Sequence, residues 1–487
     1  MKFKYYIFPL LVVFITSCNG NNSAASTSSI TSNPPSITSE SSEHSSTPSE
    51  VSSATSNYSQ DSFSQLAMGT TTVLSEMKTI NQYQKQTHGA SGMPSIGNID
   101  VLVIPVEIKG IAFPNNYKSN MELLFNGTSA ATGWESVSSY YTASSYGSVN
   151  YNFEITNKYI TNNNKTYFEG KGEEGDQYAI AEVLAQVSDI DFSKYDYNND
   201  GLLDSVIFIY SATFNYDKDP WWAWVYSGQF FNKVTTPKKG SLELGYYMWA
   251  SYEFMFEKTL GVVANVNAET YIHEFGHLLG LPDYYPTTSA NYGPLGGWDM
   301  MDMNAGDHGP LNKLMLGWIS PLIAPIGYQY EITLDSYSLD DDGKDVAILI
   351  PRSNANFTDG DAFDEYLLVI YYTPNGLYRG HIGTKASISE AGVAIYHVDA
   401  RLSPKADEWE FFLNNNDGSS NFLVSILEAD KNNSIPSRIK TINKNDILLG
   451  GSIDLSSYLW NQSGTINTKI AIETKSESSA KLNIEVR

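Results

Sequence analysis

The segment from Tyr271 to Tyr285 constrains the fold more than any other part of this 487-residue chain. It contains two histidines four residues apart, His273 and His277, and Glu274 directly follows the first. Residues four apart lie on the same face of a helix, so both imidazoles can point at one metal ion. The segment therefore predicts a helix, capped near its start by Asn267, that presents two nitrogen ligands beside a carboxylate.

The residues after the second histidine predict how this helix ends. Gly280 can take a left-handed conformation at the helix C-terminus, and Pro282 cannot continue the helix. The chain then doubles back and returns Asp283 toward the two histidines. Three protein ligands leave the fourth tetrahedral position of Zn²⁺ for water, as catalytic zinc sites require. Zinc lowers the pKa of that water, and Glu274 is positioned to be the general base.

A methionine-bearing turn is expected downstream of the zinc motif. Gly296-Gly297-Trp298-Asp299-Met300-Met301 looks like the turn that lies beneath the zinc of metzincin peptidases. Met301 would then be a structural support, since buried methionines fill space. A crowded polar group follows the turn: Asp302, Asn304, Asp307 and His308. His308 is a candidate for contact with the substrate or transition state, with a hydrogen-bonded structural histidine as the alternative.

With these motifs, the sequence resembles the immune inhibitor A family of secreted bacterial metallopeptidases. The matching segments run from about Ile99 to the end of the chain and are Val137-Ser138-Ser139-Tyr140-Tyr141, Ser145-Tyr146-Gly147, His273 to Asp283, Gly297-Trp298-Asp299-Met300-Met301, Leu316-Gly317-Trp318 and Ile395-Tyr396-His397-Val398-Asp399. The resemblance implies a zinc endopeptidase with bound calcium. It implies that His273, His277 and Asp283 are the zinc ligands. Glu274 is implied as the base.

The chain departs from this family in two respects. It lacks a tyrosine just after Met301, which some related peptidases use to stabilise the transition state. It also has an N-terminal lipoprotein signal and a Ser/Thr-rich tether, unlike the freely secreted members. These departures bear on the transition-state contact and on release into the medium.

A second metal site is predicted between Asp196 and Asp204. Oxygen-bearing side chains stand at positions one, three, five and nine of this segment: Asp196, Asn198, Asp200 and Asp204. Gly201 at position six allows a sharp turn, as calcium loops require. Position twelve is Ile207, where an EF-hand has Glu, so another segment or water must complete the shell. We predict calcium here, with an ordinary Asx-rich turn as the alternative.

The N-terminal residues predict export and lipid anchoring. Lys2 and Lys4 precede an apolar run, Tyr5 to Ile15, that is too short to span a bilayer. The run closes on Cys18, the chain's single cysteine, in a context that resembles the bacterial lipoprotein box. We expect residues 1–18 to be a lipoprotein signal peptide, with Cys18 as the lipidated residue. Residues 19–61, which are rich in Ser and Thr, are expected to be a disordered tether.

The charge balance limits the possible partners. Asp and Glu outnumber Lys and Arg by 54 to 30, which gives a formal net charge of −24 at pH 7. Nucleic acids and anionic lipid surfaces bind clustered Lys and Arg, so neither is expected as a partner. The expected partners are protein or peptide substrates and, through Cys18, a membrane.

The remaining patterns predict an α+β fold. Buried strands are expected at Val101–Val106 and Ser205–Tyr210, and helices at Trp134–Tyr146 and Gln177–Val187. Further β-type runs are expected in the C-terminal part, at Tyr328–Leu334, Val346–Ile350, Tyr366–Tyr372, Gly392–Val398 and Lys469–Glu473. We expect a zincin-like or metzincin-like catalytic domain, with a mixed sheet and an active-site helix, at residues 99–320. A β-rich, sandwich-like C-terminal domain is expected at residues 321–487. Residues 62–98, whose start is weakly helical in pattern, are a pre-segment that is either a pro-segment or a packing arm.

Two further groups have alternative interpretations. His397 and Asp399 alternate along a predicted strand, and a structural role is favoured over a further metal site. The Trp-rich segment Pro220–Trp224 is interpreted as core rather than as the wall of a substrate cleft.

The leading hypothesis is a cell-surface, lipid-anchored zinc metalloendopeptidase that hydrolyses extracellular proteins. The first alternative is a non-catalytic binding or adhesion lipoprotein that keeps zinc structurally. The second is a zinc-dependent esterase or deacylase. The sequence indicates neither the substrate nor the oligomeric state.

Overall fold

Parallel strands and the metal-motif helix together form the part of the molecule that positions the candidate site. The computed structural model describes residues 66–73, 92–227, 238–257, 266–286, 293–357, 362–382, 384–405, 408–415, 420–435 and 440–487. The predicted signal peptide, Cys18 and the predicted tether lie outside these residues. Within them, no helix is both long enough and apolar enough to cross a bilayer.

The helices of the described residues are mostly short. The α-helices are α1 (Tyr117–Asn126), α2 (Ser129–Thr132), α3 (Val137–Ser144), α4 (Lys165–Glu169), α5 (Gly175–Leu184), α6 (Glu269–Leu278), α7 (Met300–Met303) and α8 (Pro310–Met315). Short segments of 3₁₀-helix occur at Gly172–Glu174, Phe192–Tyr195, Tyr252–Phe256, Asn354–Phe357 and Gly376–His381.

The strands form three larger sheets and two small ones. They are β1 (Thr72–Val73), β2 (Gly97–Lys109), β3 (Val149–Ile155), β4 (Tyr159–Asn164), β5 (Leu202–Leu203), β6 (Val206–Tyr210), β7 (Trp224–Ser227), β8 (Lys238–Lys239), β9 (Leu242–Leu244), β10 (Tyr246–Ser251), β11 (Ser320–Ile323), β12 (Tyr328–Asp335), β13 (Lys344–Pro351), β14 (Glu365–Tyr372), β15 (Gly392–Asp399), β16 (Leu402–Lys405), β17 (Glu408–Phe411), β18 (Val424–Ile426), β19 (Gly451–Asp454), β20 (Thr468–Lys475) and β21 (Ser479–Val486).

The first sheet has the order β3-β2-β6-β10-β7, and β4 also pairs with β2. Strands β3, β2, β6 and β10 are parallel to one another, as is β4 to β2, and β7 is antiparallel at the edge. Both predicted buried strands lie at the centre of this sheet as β2 and β6, and all five residues of β6 are buried. Helix α6 packs against β7 and β10, so the first sheet supports the metal motif.

The second and third sheets contain the C-terminal strands. The second sheet has the order β1-β11-β13-β14-β15-β18, in which only β11 and β13 pair in parallel. The third is an antiparallel sheet with the order β12-β21-β20-β19. The five predicted β-type runs are confirmed as β12, β13, β14, β15 and β20. The small sheets are β16-β17 and β5-β9-β8.

The second sheet separates two hydrophobic cores, which we call the main core and the second core. Side chains alternate between the two faces of a strand, so Ala347 and Leu349 of β13 enter the main core and Ile348 enters the second. In β14, Leu368 faces the main core and Leu367 the second core. The third sheet closes the second core. Burial on both faces explains why β13 and β14 are nearly continuous apolar runs.

The described residues belong to one compact unit. The main core contains side chains from both sides of residue 320, for example Ile272 of α6 and Leu349 of β13. The predicted division into domains at residues 99–320 and 321–487 stays a prediction. The structure shows a mixed α/β protein with several mixed sheets.

Two helix predictions are right in position and too long. The predicted helix Trp134–Tyr146 is α3, which starts at Val137 because Ser136 and Ser139 form a capping box. The predicted helix Gln177–Val187 is α5, which starts two residues before the predicted start and ends three residues before the predicted end.

The N-terminal pre-segment is extended, not helical, where the structure describes it. Thr72 pairs with Ile323 across β1 and β11, and Met68 forms a bridge with Gln329. This pairing extends the edge of the second sheet and overrides the weak helical pattern. Residues 66–73 therefore pack along this sheet edge, and residues 74–91 lie outside the described part. The choice between a pro-segment and a packing arm stays open, since either can pair in this way.

Candidate metal centre

The predicted metal-motif helix is confirmed as α6. It begins one residue later than an Asn267 cap implies, because Ala268 is the cap residue. The side chain of Asn267 still accepts the backbone N–H of Glu269 at 2.8 Å. Two tyrosines fix the helix: Tyr271 donates to the carbonyl of Ser251, and Tyr141 donates to the carbonyl of Ile272. The helix is thus held on both sides before any ligand is considered.

The turn after α6 brings the chain back as the sequence predicts. Gly280 has φ +87°, a conformation that residues with a Cβ rarely adopt. The N–H of Leu281 donates to the carbonyl of Gly276 at 3.0 Å, which satisfies a helix-end carbonyl. Asp283 then lies beside the histidines of the helix.

Three side chains converge at this point. The Oδ1 atom of Asp283 is 3.0 Å from Nε2 of His273 and 3.2 Å from Nε2 of His277. Ligand atoms bound about 2.0–2.1 Å from one zinc ion in a tetrahedron are roughly 3.3 Å apart. The spacing and the nitrogen, nitrogen and oxygen donor set therefore fit zinc.

Backbone carbonyls orient both imidazoles. Nδ1 of His273 lies 2.9 Å from the carbonyl oxygen of Met300, and Nδ1 of His277 lies 2.7 Å from that of Leu281. An Nδ1–H that donates to a carbonyl leaves Nε2 as the metal-binding nitrogen. The sequence could not reveal these two contacts, because a backbone carbonyl carries no residue signature.

The predicted methionine turn lies directly beneath the helix. Met301 is fully buried, and a Cβ on Gly276 would lie 2.7 Å from its sulfur. The carbonyl of Met301 also accepts the N–H of Tyr284 at 2.9 Å. Met301 thus supports both the helix and the segment that carries Asp283. The need for glycine at position 276 was missed, because this position is variable in the His-Glu-x-x-His pattern.

Glu274 is a fully buried carboxylate beside the three side chains. Neither of its oxygens has a hydrogen-bond partner among the described residues. Burial raises the pKa of Glu274 to about 8. A bound cation would oppose this, because an opposite charge favours the carboxylate form. An unpartnered buried carboxylate is costly, and it is explained if the group works on a ligand at this place.

The charges of the three side chains are coupled. Although burial disfavours both charged forms, the histidines lower the pKa of Asp283 to about 2 and Asp283 raises the pKa of His277 to about 9. For His273, burial outweighs Asp283 and lowers the pKa. Without metal, one proton shared by the histidines offsets the aspartate. Metal binding must displace that proton.

Two aspartates shape the methionine turn. Asp299 accepts the N–H groups of Met301 at 2.7 Å and Gly309 at 2.6 Å. Asp302 accepts the N–H of Gly297 at 2.6 Å. Burial raises the pKa of each aspartate to about 7. Asp302, predicted only as part of a polar cluster, is therefore a structural part of the turn.

Tyr285 is a site residue that the sequence reasoning did not single out. Its ring centre is 6.2 Å from that of His273, and its hydroxyl hydrogen-bonds to the Asp283 carboxylate. Burial, with the charge of Asp283, raises the pKa of Tyr285 well above its ordinary value. Its place two residues after the third candidate ligand was the available signal.

His308 lies in the aromatic interior. It is fully buried, and its ring centre is 5.5 Å from Tyr140, 5.6 Å from Tyr141 and 6.0 Å from Trp318. Burial lowers its pKa well below the ordinary value, so the ring is neutral. Neither ring nitrogen has a hydrogen-bond partner among the described residues, so the structure does not show the hydrogen-bonded histidine of the alternative interpretation. A role for His308 in substrate contact stays a prediction.

The predicted calcium loop folds around its own backbone. Asp196 accepts the N–H of Gly201 at 3.1 Å, and Asp204 accepts the N–H of Tyr197 at 2.8 Å. The carboxylates of Asp196, Asp200 and Asp204 are not all within 4.8 Å of one another. The structure thus does not bring these candidate ligands together as it does His273, His277 and Asp283. Calcium at this loop stays a prediction.

The fourth loop ligand, Asn198, is tied to Asp200 by a hydrogen bond of 2.9 Å from its Nδ2. Burial, with the charges of Asp200 and Asp196, raises the pKa of Asp204 to about 8. A cation at the loop would relieve this repulsion.

Another acidic group, Glu428, Asp430 and Asp446, already holds a cation of the chain itself. Nζ of Lys440 is 2.6 Å from Asp446, 3.4 Å from Glu428 and 3.8 Å from Asp430. This ammonium supplies the positive charge that a metal would bring, so the cluster is an ion-pair network.

The remaining sequence interpretations are structural. Nε2 of His397 is 2.9 Å from Glu365, and Asp399 pairs with Arg401, so these residues form side-chain networks. Trp221, Trp222 and Trp224 are all buried, which confirms the Trp-rich segment as core.

Comparison with known proteins adds no assignment. Neither the models of known protein families nor the curated proteins include one that matches this sequence. The site therefore has to be interpreted from its own residues.

Proposed function

We propose that the chain is a zinc-dependent metalloendopeptidase whose catalytic part has a zincin-like, metzincin-type arrangement. The observation that carries the proposal is the convergence of His273, His277 and Asp283 beside the unpartnered carboxylate of Glu274. The packing of Met301 beneath the helix supports the metzincin-type interpretation.

In the proposed mechanism, His273, His277 and Asp283 hold the zinc. Bound zinc would lower the pKa of water toward neutrality and polarise the peptide carbonyl. Glu274 accepts a proton from the attacking water at a carboxylate oxygen and passes it to the leaving amine. The carbonyls of Met300 and Leu281 keep the imidazoles in the ligating tautomer.

The site is enclosed in this structure. His273 and Glu274 are 0% exposed, Asp283 is 2% exposed and His277 is 4% exposed. The donor side chains themselves are therefore shielded from bulk water. Such enclosure excludes bulk water and strengthens electrostatic interactions at the site.

The proposed location is the outer face of a bacterial membrane, with the protein anchored through lipidated Cys18. The support is the N-terminal sequence: a short apolar run, a lipobox-like cysteine and a Ser/Thr-rich stretch. The proposed substrates are peptide bonds of extracellular proteins. The resemblance of the zinc motif and methionine turn to immune inhibitor A peptidases favours peptides over esters.

A non-catalytic zinc lipoprotein is the competing function. A structural zinc site is normally closed by four protein ligands. Three converging ligands and a separate unpartnered Glu274 argue against that alternative.

Casein digestion by the full-length, zinc-loaded protein tests the proposal. We expect Glu274→Gln to lower the rate by about 10²–10⁴-fold while the zinc content stays near one ion per chain. His277→Ala should lose the zinc. Glu390→Gln, which removes an exposed glutamate paired with Lys444, is the matched control and should retain full activity. Zinc binding without any digestion, or undiminished digestion by Glu274→Gln, would overturn the proposal.

A further inference from the structure

A cleft on the C-terminal part of the molecule shares no residue with the metal centre. It encloses about 430 Å³, within the usual size range of small-molecule sites, about 300–1,000 Å³. Its wall includes the residue after β13, the segment between β19 and β20, and the end of β21. We call it the arginine cleft, and its polar and aromatic lining includes Arg352, Trp460, Ser463, Thr465, Asn467 and Arg487.

The ionisable side chains that line the arginine cleft are opposite in sign to the net charge of the protein. Arg352 and Arg487 are the only ionisable side chains among the described residues that line it. The chain carries a net charge of −24, so a lining with two arginines and no acidic residue is a local exception, although each arginine also lies beside a glutamate outside the lining. Such a cleft attracts an anion rather than a cation or a neutral apolar molecule.

Arg352 is held in place without using its full donor capacity. Its Nε lies 3.4 Å from Oε2 of Glu365 but outside hydrogen-bond geometry, and its Nη2 makes a long contact of 3.4 Å with Ser463. Glu365 already accepts hydrogen bonds from Nε2 of His397 and from the N–H of Asn461. The Arg352 guanidinium therefore keeps donors for a carboxylate, which it can bind in a bidentate manner.

Arg487 also lines the cleft, with its Nε hydrogen-bonded to a glutamate. Its Nε donates to Glu485 at 2.6 Å, and 51% of its side chain is exposed. A fixed Nε orients the planar guanidinium, whose fork of donors suits a carboxylate. Two such groups in one cleft favour a ligand with more than one acidic group or with an acid and several hydroxyls.

Trp460 adds a preorganised aromatic wall. Its ring centre is 5.5 Å from that of His397 in an edge-on contact, and its backbone N–H donates to the carbonyl of Gly464 at 3.0 Å. The apolar C–H face of a sugar ring can stack on a fixed indole, whose edge remains polar. Thr465 donates to Oδ1 of Asn467 at 3.1 Å, which presents the amide nitrogen of Asn467 as a donor for ring hydroxyls.

We propose that the arginine cleft binds an acidic saccharide, with a uronic-acid carboxylate on Arg352 and Arg487 and a sugar ring against Trp460. The shared chemistry is a carboxylate on a pyranose ring, as in plant-type polygalacturonate and in animal-type hyaluronan. The protein would attach to such polymers through this cleft. This site is independent of the proposed peptidase activity.

Calorimetric titration of the full-length protein tests the site with four probes. Trigalacturonic acid and a hyaluronan tetrasaccharide carry the proposed chemistry, and they distinguish the two sources. Maltotriose is the neutral saccharide, and N-acetylglycylglycine is a carboxylate without a sugar. We expect one or both uronides to bind, more weakly as salt is raised, and the two controls not to bind.

Variants localise the binding. Arg352→Gln and Arg487→Gln should each weaken uronide binding by at least about tenfold, equivalent to about 1.4 kcal/mol. Trp460→Phe should weaken uronide binding less than Trp460→Leu does, because it keeps an aromatic ring. Lys344→Gln removes an exposed lysine, with 71% of its side chain exposed, outside the cleft and should bind normally. Far-ultraviolet circular dichroism and the thermal midpoint should stay close to those of the wild type for all variants. The proposal is overturned by equal binding of maltotriose, by binding of the peptide alone, by no binding of either uronide, or by binding that the arginine variants retain.

Discussion

Gly276 and Met301 are in direct contact beneath the metal motif: a Cβ on Gly276 would lie 2.7 Å from the Met301 sulfur. The contact lies between the two histidines along α6 and joins the helix to the turn that supports it. The position of His273 and His277 therefore depends on a residue that binds no metal.

Gly276→Ala should destabilise the protein by about 1–3 kcal/mol because the added methyl group overpacks this contact. It should also weaken zinc binding, since the helix can relieve the overlap only by moving away from the turn. Thermal unfolding and chelator competition measure the two effects. Gly450→Ala is the matched control, because no atom lies within 4 Å of its added Cβ. Combining Gly276→Ala with Met301→Ala should cost less stability than the two single changes added together, because the smaller side chain removes the overlap. Purely additive losses would show that this contact is not the cause.

Tyr285→Phe should weaken zinc binding by about 10–100-fold, because loss of a partner to a metal ligand typically has this effect. Removing the hydroxyl deletes the hydrogen bond to Asp283 and leaves the ring in place. Zinc affinity from chelator competition is the measurement. Tyr284→Phe is the neighbouring control: its hydroxyl donates to Asn312, so it should lose stability but keep its zinc affinity. Equal zinc affinities of wild type and Tyr285→Phe would contradict the assigned role.

His381 should make the protein sensitive to acid. Burial lowers its pKa to about 3, and neither ring nitrogen has a hydrogen-bond partner among the described residues. The unfolded chain binds this proton below about pH 6.5, so the folded state is favoured above that pH and loses stability as the pH falls toward 3. The loss approaches about 1.4 kcal/mol per pH unit.

The His381→Phe variant removes this titration and keeps a ring of similar shape. The unfolding free energy of the variant minus that of the wild type should increase as the pH is lowered from 6.5 to 4. A difference that does not change with pH would show that His381 does not titrate as expected.

Calcium should stabilise the Asp196–Asp204 loop if the predicted site exists. A calcium-selective chelator should lower the thermal midpoint, and calcium alone should restore it, because a ligand that binds only the folded state stabilises it. Asp200→Ala should abolish the response. Glu390→Gln, which removes an exposed carboxylate outside the loop, is the control and should respond as the wild type does. A calcium response that survives in Asp200→Ala would place the ion elsewhere.

Local sequence patterns anticipated much of the metal centre. The four-residue spacing of His273 and His277 requires only helical geometry, and Gly280 with Pro282 encodes the reversal that returns Asp283. These signals act within about ten residues, where chain stiffness and backbone conformation dominate. The buried strand β6 was equally readable, since its apolar run has no polar interruption.

Contacts between distant segments could not be read in this way. The carbonyl of Met300 meets His273 through the tertiary fold, and any residue type has such a carbonyl. Pairing of β1 with β11 depends on an open sheet edge more than two hundred residues away. The weak helical pattern of the N-terminal arm therefore gave the wrong local structure there.

The most direct test of the central claim is a crystal structure of the zinc-loaded protein with anomalous diffraction recorded on both sides of the zinc absorption edge. We expect one strong zinc peak bound by Nε2 of His273, Nε2 of His277 and a carboxylate oxygen of Asp283, with Glu274 nearby but not coordinating. A zinc ion elsewhere, or one closed off by Glu274 as a fourth protein ligand, would contradict the account.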